Sequence, residues 1–264
     1  MSTTKPTEAR QHNIVVMTGK DLRHQYFIKK LNYKFRIAAV FIDTPVYPSP
    51  PHATEEEHLA WNWFFDRRQL FEKTTITPKL SIKSKNVPNY YYLKKGEINS
   101  PKTRATLKQY MPGFIAVFGV GIIDEITLSL YPNSIFNLHV GLPKFYRGSS
   151  CNFWPIHNCD LTNLGATIHQ VEKGIDTGKI SAENHIHLKP NDNEQSLLWK
   201  TLEIGTKLME ETIKNWQTGK LCLRKQKQKG QLYRMSDFKP SAILRVKKMV
   251  ESGELRIQIE SIQK

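Results

Sequence analysis

Residues 114–118 constrain the fold of this 264-residue chain most, because all five of them, Phe-Ile-Ala-Val-Phe, are apolar. A strand that is apolar on both faces is typical of the centre of a parallel sheet covered by helices on both sides. Upstream, apolar runs at residues 13–19 and 37–42 flank a helical pattern at residues 21–31. A connection of that length favours parallel pairing of the two strands. The sequence therefore predicts an α/β fold built on a mostly parallel twisted sheet flanked by helices.

Other periodic segments extend this pattern along the chain. Helix-start signals and apolar spacing predict helices at residues 54–73, 101–110, 124–130 and 194–216. Alternation predicts strands at residues 135–139 and 165–171, and a weaker pattern predicts strands at residues 184–188 and 255–259. The first of these helices carries aromatic residues at helical spacing, namely Trp61, Phe64, Phe65 and Phe71. Such a stripe indicates packing against the core, with stacking against a ligand as the alternative.

The chain is strongly basic, with 39 Lys and Arg residues against 24 Asp and Glu and a formal net charge of +15. This excess favours anionic partners, and it fits phosphorylated metabolites, nucleotide sugars, polyglutamylated cofactors, anionic lipid surfaces and nucleic acid alike. The longest apolar stretch, residues 113–123, is about half of the roughly 20 residues that a membrane helix needs. Without a secretory signal pattern, and with only three scattered cysteines, the chain is expected to be cytoplasmic, with no membrane span and no disulfide framework.

The chain is predicted to contain one main domain with two additions. Residues 1–12 are polar and lack periodicity, which indicates a flexible N-terminal arm. Residues 13–221 contain the main α/β domain, and residues 222–264 form a small C-terminal extension after a change to basic composition. Two interpretations of the tail after Gly230 stay open, because it can pack on its own domain or form the surface of a homodimer.

Polar residues suited to acyl transfer occur where packing does not need them. Asn137 and His139 project from one face at the carboxyl end of a predicted strand, which is where ligands bind in open parallel sheets. Asp176 lies in a glycine-flanked turn that can return its carboxylate to this pair. An amide can bind a developing oxyanion, an imidazole can relay a proton, and a carboxylate can orient the imidazole or accept a proton. The alternatives are local backbone hydrogen bonds for the pair and an Asx-turn for the aspartate.

Three motifs connect these residues to a known family. Residues 137–148 read Asn-Leu-His-Val-Gly-Leu-Pro-Lys-Phe-Tyr-Arg-Gly, residues 165–169 read Gly-Ala-Thr-Ile-His, and residues 174–178 read Gly-Ile-Asp-Thr-Gly. In this order and spacing, they resemble the catalytic domain of formyltransferases that use N10-formyltetrahydrofolate. The resemblance covers residues 13–221 and implies the Rossmann-like fold of that family.

The resemblance also implies roles for particular residues. It makes Asn137, His139 and Asp176 a catalytic triad that supports direct attack of an amine on the formyl carbon, without a covalent enzyme intermediate. It implies that N10-formyltetrahydrofolate, the formyl donor, binds along two backbone segments. The first segment consists of Phe118, Gly119, Val120, Gly121 and Ile122, and the second consists of Val171, Glu172, Lys173 and Gly174.

The acceptor of the formyl group is expected to be a nucleotide-linked amino sugar. The sequences Tyr-Arg-Gly-Ser-Ser-Cys-Asn-Phe-Trp-Pro at residues 146–155 and Leu-Tyr-Arg-Met-Ser-Asp-Phe at residues 232–238 resemble the sugar-formylating branch of the family. The chain has no glycine-rich phosphate loop, so side chains are expected to hold the diphosphate. The candidate substrate-binding residues are Arg147, Lys144 and Tyr146, with bracing of the loop as the alternative role for the arginine.

Other functions remain open at this stage. The same chemistry can serve another amine, such as a ribonucleotide or an aminoacyl-tRNA, and a related hydrolase would release formate without any acceptor. A basic nucleic-acid-binding module is a further alternative, although no recognised RNA or DNA motif occurs and the basic residues are spread along the chain. His185 and His187 share a strand face but lack a third ligand, so no metal site is predicted.

Overall fold

The computed structural model describes residues 13–44 and 50–263. The N-terminal arm predicted at residues 1–12 lies outside these described residues. Helices and strands alternate along most of the chain. In chain order they are β1 (Asn13–Thr18), α1 (Leu22–Lys34), β2 (Ile37–Asp43), α2 (Glu55–Phe71), β3 (Asn89–Leu93), α3 (Pro101–Gln109), β4 (Pro112–Phe118), α4 (Glu125–Leu130), β5 (Ile135–His139), β6 (Tyr146–Gly148), α5 (Trp154–His157), β7 (Gly165–Gln170), β8 (Ile180–His185), α6 (Glu194–Gln217), β9 (Gln231–Tyr233), α7 (Pro240–Glu251) and α8 (Glu254–Ile262).

The main sheet has seven strands in the order β3-β2-β1-β4-β5-β7-β8. The five strands from β3 to β5 pair in parallel, and β7 and β8 join the sheet antiparallel. The strand order reverses between β1 and β4, and such a switch point leaves a ligand-binding crevice at the carboxyl ends of the strands. The predicted α/β fold with a mostly parallel sheet is confirmed.

Both faces of the sheet are covered, as its apolar strands require. One face packs against α1 and α6, through residues such as Phe27 and Met209. The opposite face packs against α3 through Leu107. A separate apolar cluster joins α2, α5, α7 and α8 and includes Phe64 and Ile243, both fully buried. No helix of the described ranges is both long and apolar enough to span a membrane.

Two weakly predicted strands differ from the structure. Residues 255–259 belong to α8, because Leu255 and Ile259 lie four residues apart and both enter the core, whereas Ile257 is 66% exposed. The spacing of these apolar residues fits the alternation of a strand, but the helical spacing of Leu255 and Ile259 is the one that buries them. The strand predicted at residues 184–188 is β8, which begins earlier, at Ile180, and ends at His185. Its bounds follow from pairing with β7, where Gly165 lies opposite His185.

The residues after 221 pack on the rest of the chain. Strand β9 pairs in parallel with β6, and α7 packs against α2. The division of the chain at residue 221 stays a prediction, since contacts join the two sides of it. The packing positions the extension beside the carboxyl ends of the sheet strands, where a large cavity opens.

Candidate active site

A cavity of about 1660 Å3 opens at the carboxyl ends of β2, β4 and β5. Asn137 and His139 line it from the end of β5, and Asp176 lines it from the loop between β7 and β8. The catalytic residues predicted from separate parts of the sequence therefore lie on one cavity wall. Their proximity follows from strand order, because β7 pairs directly with β5.

The Asp176 carboxylate is the centre of a compact polar cluster. Its Oδ2 lies 3.4 Å from Nδ1 of His139, and its Oδ1 lies 3.2 Å from Nε2 of His169. The side-chain amide Nδ2 of Asn137 lies 3.3 Å from the same His169 nitrogen. The Asp176 carboxylate thus contacts both imidazoles, and the His169 imidazole also contacts the side-chain amide of Asn137.

The turn that carries Asp176 has an unusual backbone. Asp176 has a φ of +51°, in the left-handed region that aspartate tolerates better than most side chains, and Gly174 has a φ of +110°. At Gly178, a Cβ atom would lie 1.9 Å from the carbonyl oxygen of Gln170, so the close approach to β7 requires glycine. The backbone N–H of Gly148 donates to Asp176 Oδ2 at 2.7 Å.

The environment of Asp176 favours its ionised form. Burial acts to raise the pKa of this carboxyl, but the positive charge of His139 and a hydrogen bond from His169 lower it more strongly. The charge of His169 and the N–H of Gly148 act in the same direction, and the net pKa lies well below the usual range. Asp176 is therefore charged at neutral pH and stabilises positive charge on the neighbouring imidazoles.

The environment of His139 favours a neutral ring. Burial lowers the pKa of this imidazole, and the effect exceeds the opposing influence of the Asp176 carboxylate. The charge of His169 lowers the pKa further, whereas the carbonyl of Tyr146 raises it by accepting a hydrogen bond from Nε2 at 3.0 Å. With a net pKa below its ordinary value of 6.5, His139 is mostly uncharged at pH 7.

All nine predicted donor-binding residues line the cavity next to this cluster, on the two backbone segments at residues 118–122 and 171–174. Ile122 is 79% exposed, and Ile175 beside the second segment is 41% exposed, so apolar side chains face the open cavity. The backbone N–H groups of Val120 and Ile122 make no hydrogen bond with other described residues. Apolar walls with free backbone donors fit a flat heterocycle that carries polar edges.

The three predicted substrate-binding residues do not line this cavity. Lys144 Nζ lies 3.9 Å from Glu183 Oε1, and the hydroxyl of the buried Tyr146 donates to Asp160. Arg147 donates to two backbone carbonyls, those of Gly230 at 3.1 Å and Ile175 at 3.2 Å. The arginine thus braces the loop, which is the alternative that the sequence left open for it.

The opposite cavity wall was not predicted from the sequence as part of the site. Three aromatic residues of the predicted stripe, Trp61, Phe65 and Phe71, line the cavity, whereas Phe64 is fully buried in the core. The C-terminal extension adds further lining residues, which are Tyr233, Arg234, Met235, Ser236 and Phe238. The position of these residues on one cavity wall depends on contacts between distant parts of the chain. Local periodicity in the sequence therefore does not predict it.

Two individual residues were also missed. His169 belongs to one of the recognised motifs, and its place on β7 opposite Asn137 is the signal that could have identified it. Arg68 lines the cavity from α2, with its guanidinium carbon 4.8 Å from the centroid of the Phe64 ring. Its side chain forms no hydrogen bond or ion pair with another described residue. Within the described ranges, no cluster of three His, Cys, Asp or Glu residues is suited to hold a metal ion.

Comparisons with known proteins agree with this geometry. A family model described as Formyl transferase matches residues 67–213, a range that contains Asn137, His139, His169 and Asp176. Among curated proteins, the chain is similar to the methionyl-tRNA formyltransferase of Caldanaerobacter subterraneus subsp. tengcongensis, with 32% identity over 136 residues. That alignment covers 51% of this chain and 44% of the relative, so the chain spans less than half of the relative's length.

Solved structures share the fold at low identity. An N-formyltransferase from Helicobacter canadensis, in complex with folinic acid and dTDP-3-aminofucose, has a TM-score of 0.56 and 15% identity, covering 89% of this chain and 79% of that one. Glycinamide ribonucleotide transformylase 1 from Symbiobacterium toebii has a TM-score of 0.57 and 15% identity, covering 85% and 99%. The resemblance drawn from the three motifs is confirmed by the family match, which spans more than half of the chain. This chain belongs to the formyl transferase family.

Proposed function

We propose that this chain transfers a formyl group from N10-formyltetrahydrofolate to the primary amine of a nucleotide-linked amino sugar. The observation that carries the proposal is the cluster of Asn137, His139 and Asp176, which lies on the cavity wall beside the predicted donor-binding segments. The family match and the fold support formyl transfer as the reaction class. The nature of the acceptor rests on separate observations about the opposite wall.

The cluster can perform each proton and charge movement that the reaction needs. The folate donor supplies the formyl group. The amide of Asn137 can donate a hydrogen bond to the formyl oxygen as negative charge develops there. The neutral ring of His139 can take the proton that the amine loses as the new C–N bond forms, and the Asp176 carboxylate, 3.4 Å from its Nδ1, stabilises the imidazolium. The bond between the formyl carbon and N10 then breaks, and N10 takes up this proton from His139, so atoms and charge balance.

The opposite wall supports an acceptor that is both anionic and partly flat. Arg68 has a half-buried side chain whose guanidinium makes no hydrogen bond or ion pair with the described residues, so its donors are available to an anionic group. Burial and the nearby Arg23 lower the pKa of Arg68 to about 10, against the opposing charges of Glu72 and Asp21, so Arg68 stays charged at neutral pH. Trp61, Phe65 and Phe238 provide aromatic faces on which a nucleobase can stack. A nucleoside diphosphate combines both chemical features.

Methionyl-tRNA is a second candidate acceptor. The 32% identity to a methionyl-tRNA formyltransferase supports it, and the net charge of +15 suits a polyanion. The test is spectroscopic detection of tetrahydrofolate formed from N10-formyltetrahydrofolate, with dTDP-, UDP- and GDP-linked amino sugars, methionyl-tRNA and an acceptor-free control. Turnover with a nucleotide sugar supports the proposal, turnover with methionyl-tRNA alone selects the second candidate, and equal turnover without acceptor indicates hydrolysis and contradicts both.

A further inference from the structure

The side chain of Gln226, in the C-terminal extension, reaches the turn that carries Asp176. Its amide nitrogen Nε2 donates to the backbone carbonyl of Asp176 at 2.8 Å and to that of Gly178 at 2.7 Å. An amide group has two N–H donors, so both are used on this one turn. Gln226 is half-buried, although it lies in a basic segment whose neighbours on either side are exposed.

The turn needs support of this kind. Asp176 holds a left-handed backbone conformation, which is costly for a residue with a side chain and persists only when its surroundings enforce it. Among the described residues, the other side-chain hydrogen bond that reaches the backbone of this turn from outside is that of Arg147 to the carbonyl of Ile175, at 3.2 Å. Gln226 is therefore the side chain that binds the backbone of Asp176 itself.

The segment that carries Gln226 is fixed at both ends. Arg224 and Ile180 exchange two backbone hydrogen bonds, at 2.8 and 2.9 Å, which attach the segment to the start of β8. Farther along, the N–H of Gly230 donates to the carbonyl of Pro143 at 2.8 Å. Because the segment is attached on both sides of Gln226, the Gln226 side chain has a defined position. Its two hydrogen bonds therefore fix the turn relative to this segment.

We propose that Gln226 is a positioning residue that holds the Asp176 carboxylate in place between His139 and His169. The proposal rests on the proposed function, because it assigns Gln226 a role through the catalytic aspartate. The two imidazole nitrogens lie 3.2 and 3.4 Å from the carboxylate oxygens, and displacements of about 1 Å in a catalytic group can lower rates by about a hundredfold. A residue outside the three recognised motifs thus contributes to the chemistry that they carry.

The test compares Gln226→Leu and Gln226→Glu with the matched control Gln228→Leu, in the full chain. Both Gln226 variants remove the amide donor, whereas Gln228 is exposed and forms no hydrogen bond with another described residue. We expect kcat for formyl transfer to fall about ten- to a hundredfold in both Gln226 variants, because two neutral hydrogen bonds contribute a free energy that corresponds to about this ratio. The KM for the formyl donor is expected to stay unchanged, and the control should match the unsubstituted protein.

Hydrogen exchange gives a second measurement that does not depend on activity. The Gly148 amide donates to the Asp176 carboxylate, so its protection reports the position of that group. The next amide, that of Ser149, donates to the carbonyl of Tyr233 at 2.8 Å and serves as an internal reference. We expect faster exchange at Gly148 in the Gln226 variants, with the protection of Ser149 and the unfolding temperature retained.

The Asp176→Ala variant separates the two proposals. Gln226 variants with normal kcat and normal Gly148 protection, beside an inactive Asp176→Ala, would overturn the role of Gln226 and leave the proposed function standing. If kcat and the unfolding temperature both fall while the protection of the Gly148 amide stays unchanged, the loss of activity follows from lost stability. That result would also contradict the positioning role of Gln226. Normal turnover by Asp176→Ala would instead remove the proposed catalytic role of the aspartate, and with it the premise of the inference.

Discussion

Among single residues, three side chains carry the proposed chemistry. Asn137 and His139 share a strand face, which a period of two predicts from the sequence. Asp176 is 37 residues away from His139 in sequence and 3.4 Å away in space. The sequence identified this residue through its motif, whereas its contacts follow from the pairing of β5 with β7.

Removing the charge-stabilising groups should stop catalysis without unfolding the protein. We expect Asn137→Ala and Asp176→Ala each to lower turnover by at least about 100-fold, because an oxyanion donor and a carboxylate that supports acid–base catalysis by His139 contribute this much. Steady-state kinetics and circular dichroism provide the measurement. Asn215→Ala and Asp66→Ala, at exposed positions outside the cavity, are the matched controls. Folded Asn137 or Asp176 variants with near-normal rates would disprove the triad.

The depressed pKa of Asp176 makes a prediction about stability and pH. A carboxyl whose native pKa lies below its unfolded value of about 3.9 stabilises the fold above that pH, and the contribution is lost as pH falls through the native pKa. The free energy of unfolding should therefore decline more steeply below about pH 4 in the unsubstituted protein than in Asp176→Asn. Urea denaturation at pH 7, 5, 4 and 3 measures this difference. Parallel pH profiles for the two proteins would contradict the assignment.

At the scale of elements, the strands were easier to predict than the cavity walls. The five apolar residues of β4 determine a buried central strand, and Phe114 to Phe118 are each at most 7% exposed. In α8, the apolar residues Leu255, Ile257 and Ile259 satisfy a strand pattern, and only packing against the neighbouring helices selects the helix. Tertiary contacts of this kind are not encoded in a local period.

Helix α2 makes a prediction about the acceptor. We expect Arg68→Met to raise the KM for a nucleotide-linked acceptor about tenfold or more, because it removes a charge-assisted hydrogen-bond donor, while the KM for the folate donor stays unchanged. Lys73→Met, at an exposed position beyond the end of α2 and outside the cavity, is the control. Unchanged acceptor KM in the Arg68 variant would show that the anionic group binds elsewhere.

At the scale of the whole molecule, the C-terminal extension is joined to the site. It contributes Gln226 to the Asp176 turn, and it contributes the four residues from Tyr233 to Ser236 together with Phe238 to the cavity wall. The sequence marked this extension by its basic composition and by the segment at residues 232–238. Its contacts with β6 and α2 could not be predicted, because β6 is a three-residue strand with no recognisable pattern.

Removing the extension should therefore affect both folding and catalysis. A chain that ends at residue 221 loses the cover of α7 over α2 and exposes apolar residues such as Ala60 and Phe64, which are fully buried here. We expect a lower unfolding temperature and loss of formyl transfer, measured by calorimetry and by tetrahydrofolate release. A truncated chain with full stability and turnover would show that residues 13–221 form a complete catalytic domain.

The most direct test of the central claim follows the formyl carbon itself. N10-formyltetrahydrofolate with a 13C-labelled formyl group is incubated with the chain and the panel of nucleotide-linked amino sugars, beside Asp176→Ala. The account predicts that the label appears as a formamide on one amino sugar, at a rate that the variant lowers by at least about 100-fold. Label that appears only as free formate, or a formamide formed equally fast by the variant, would contradict the claim.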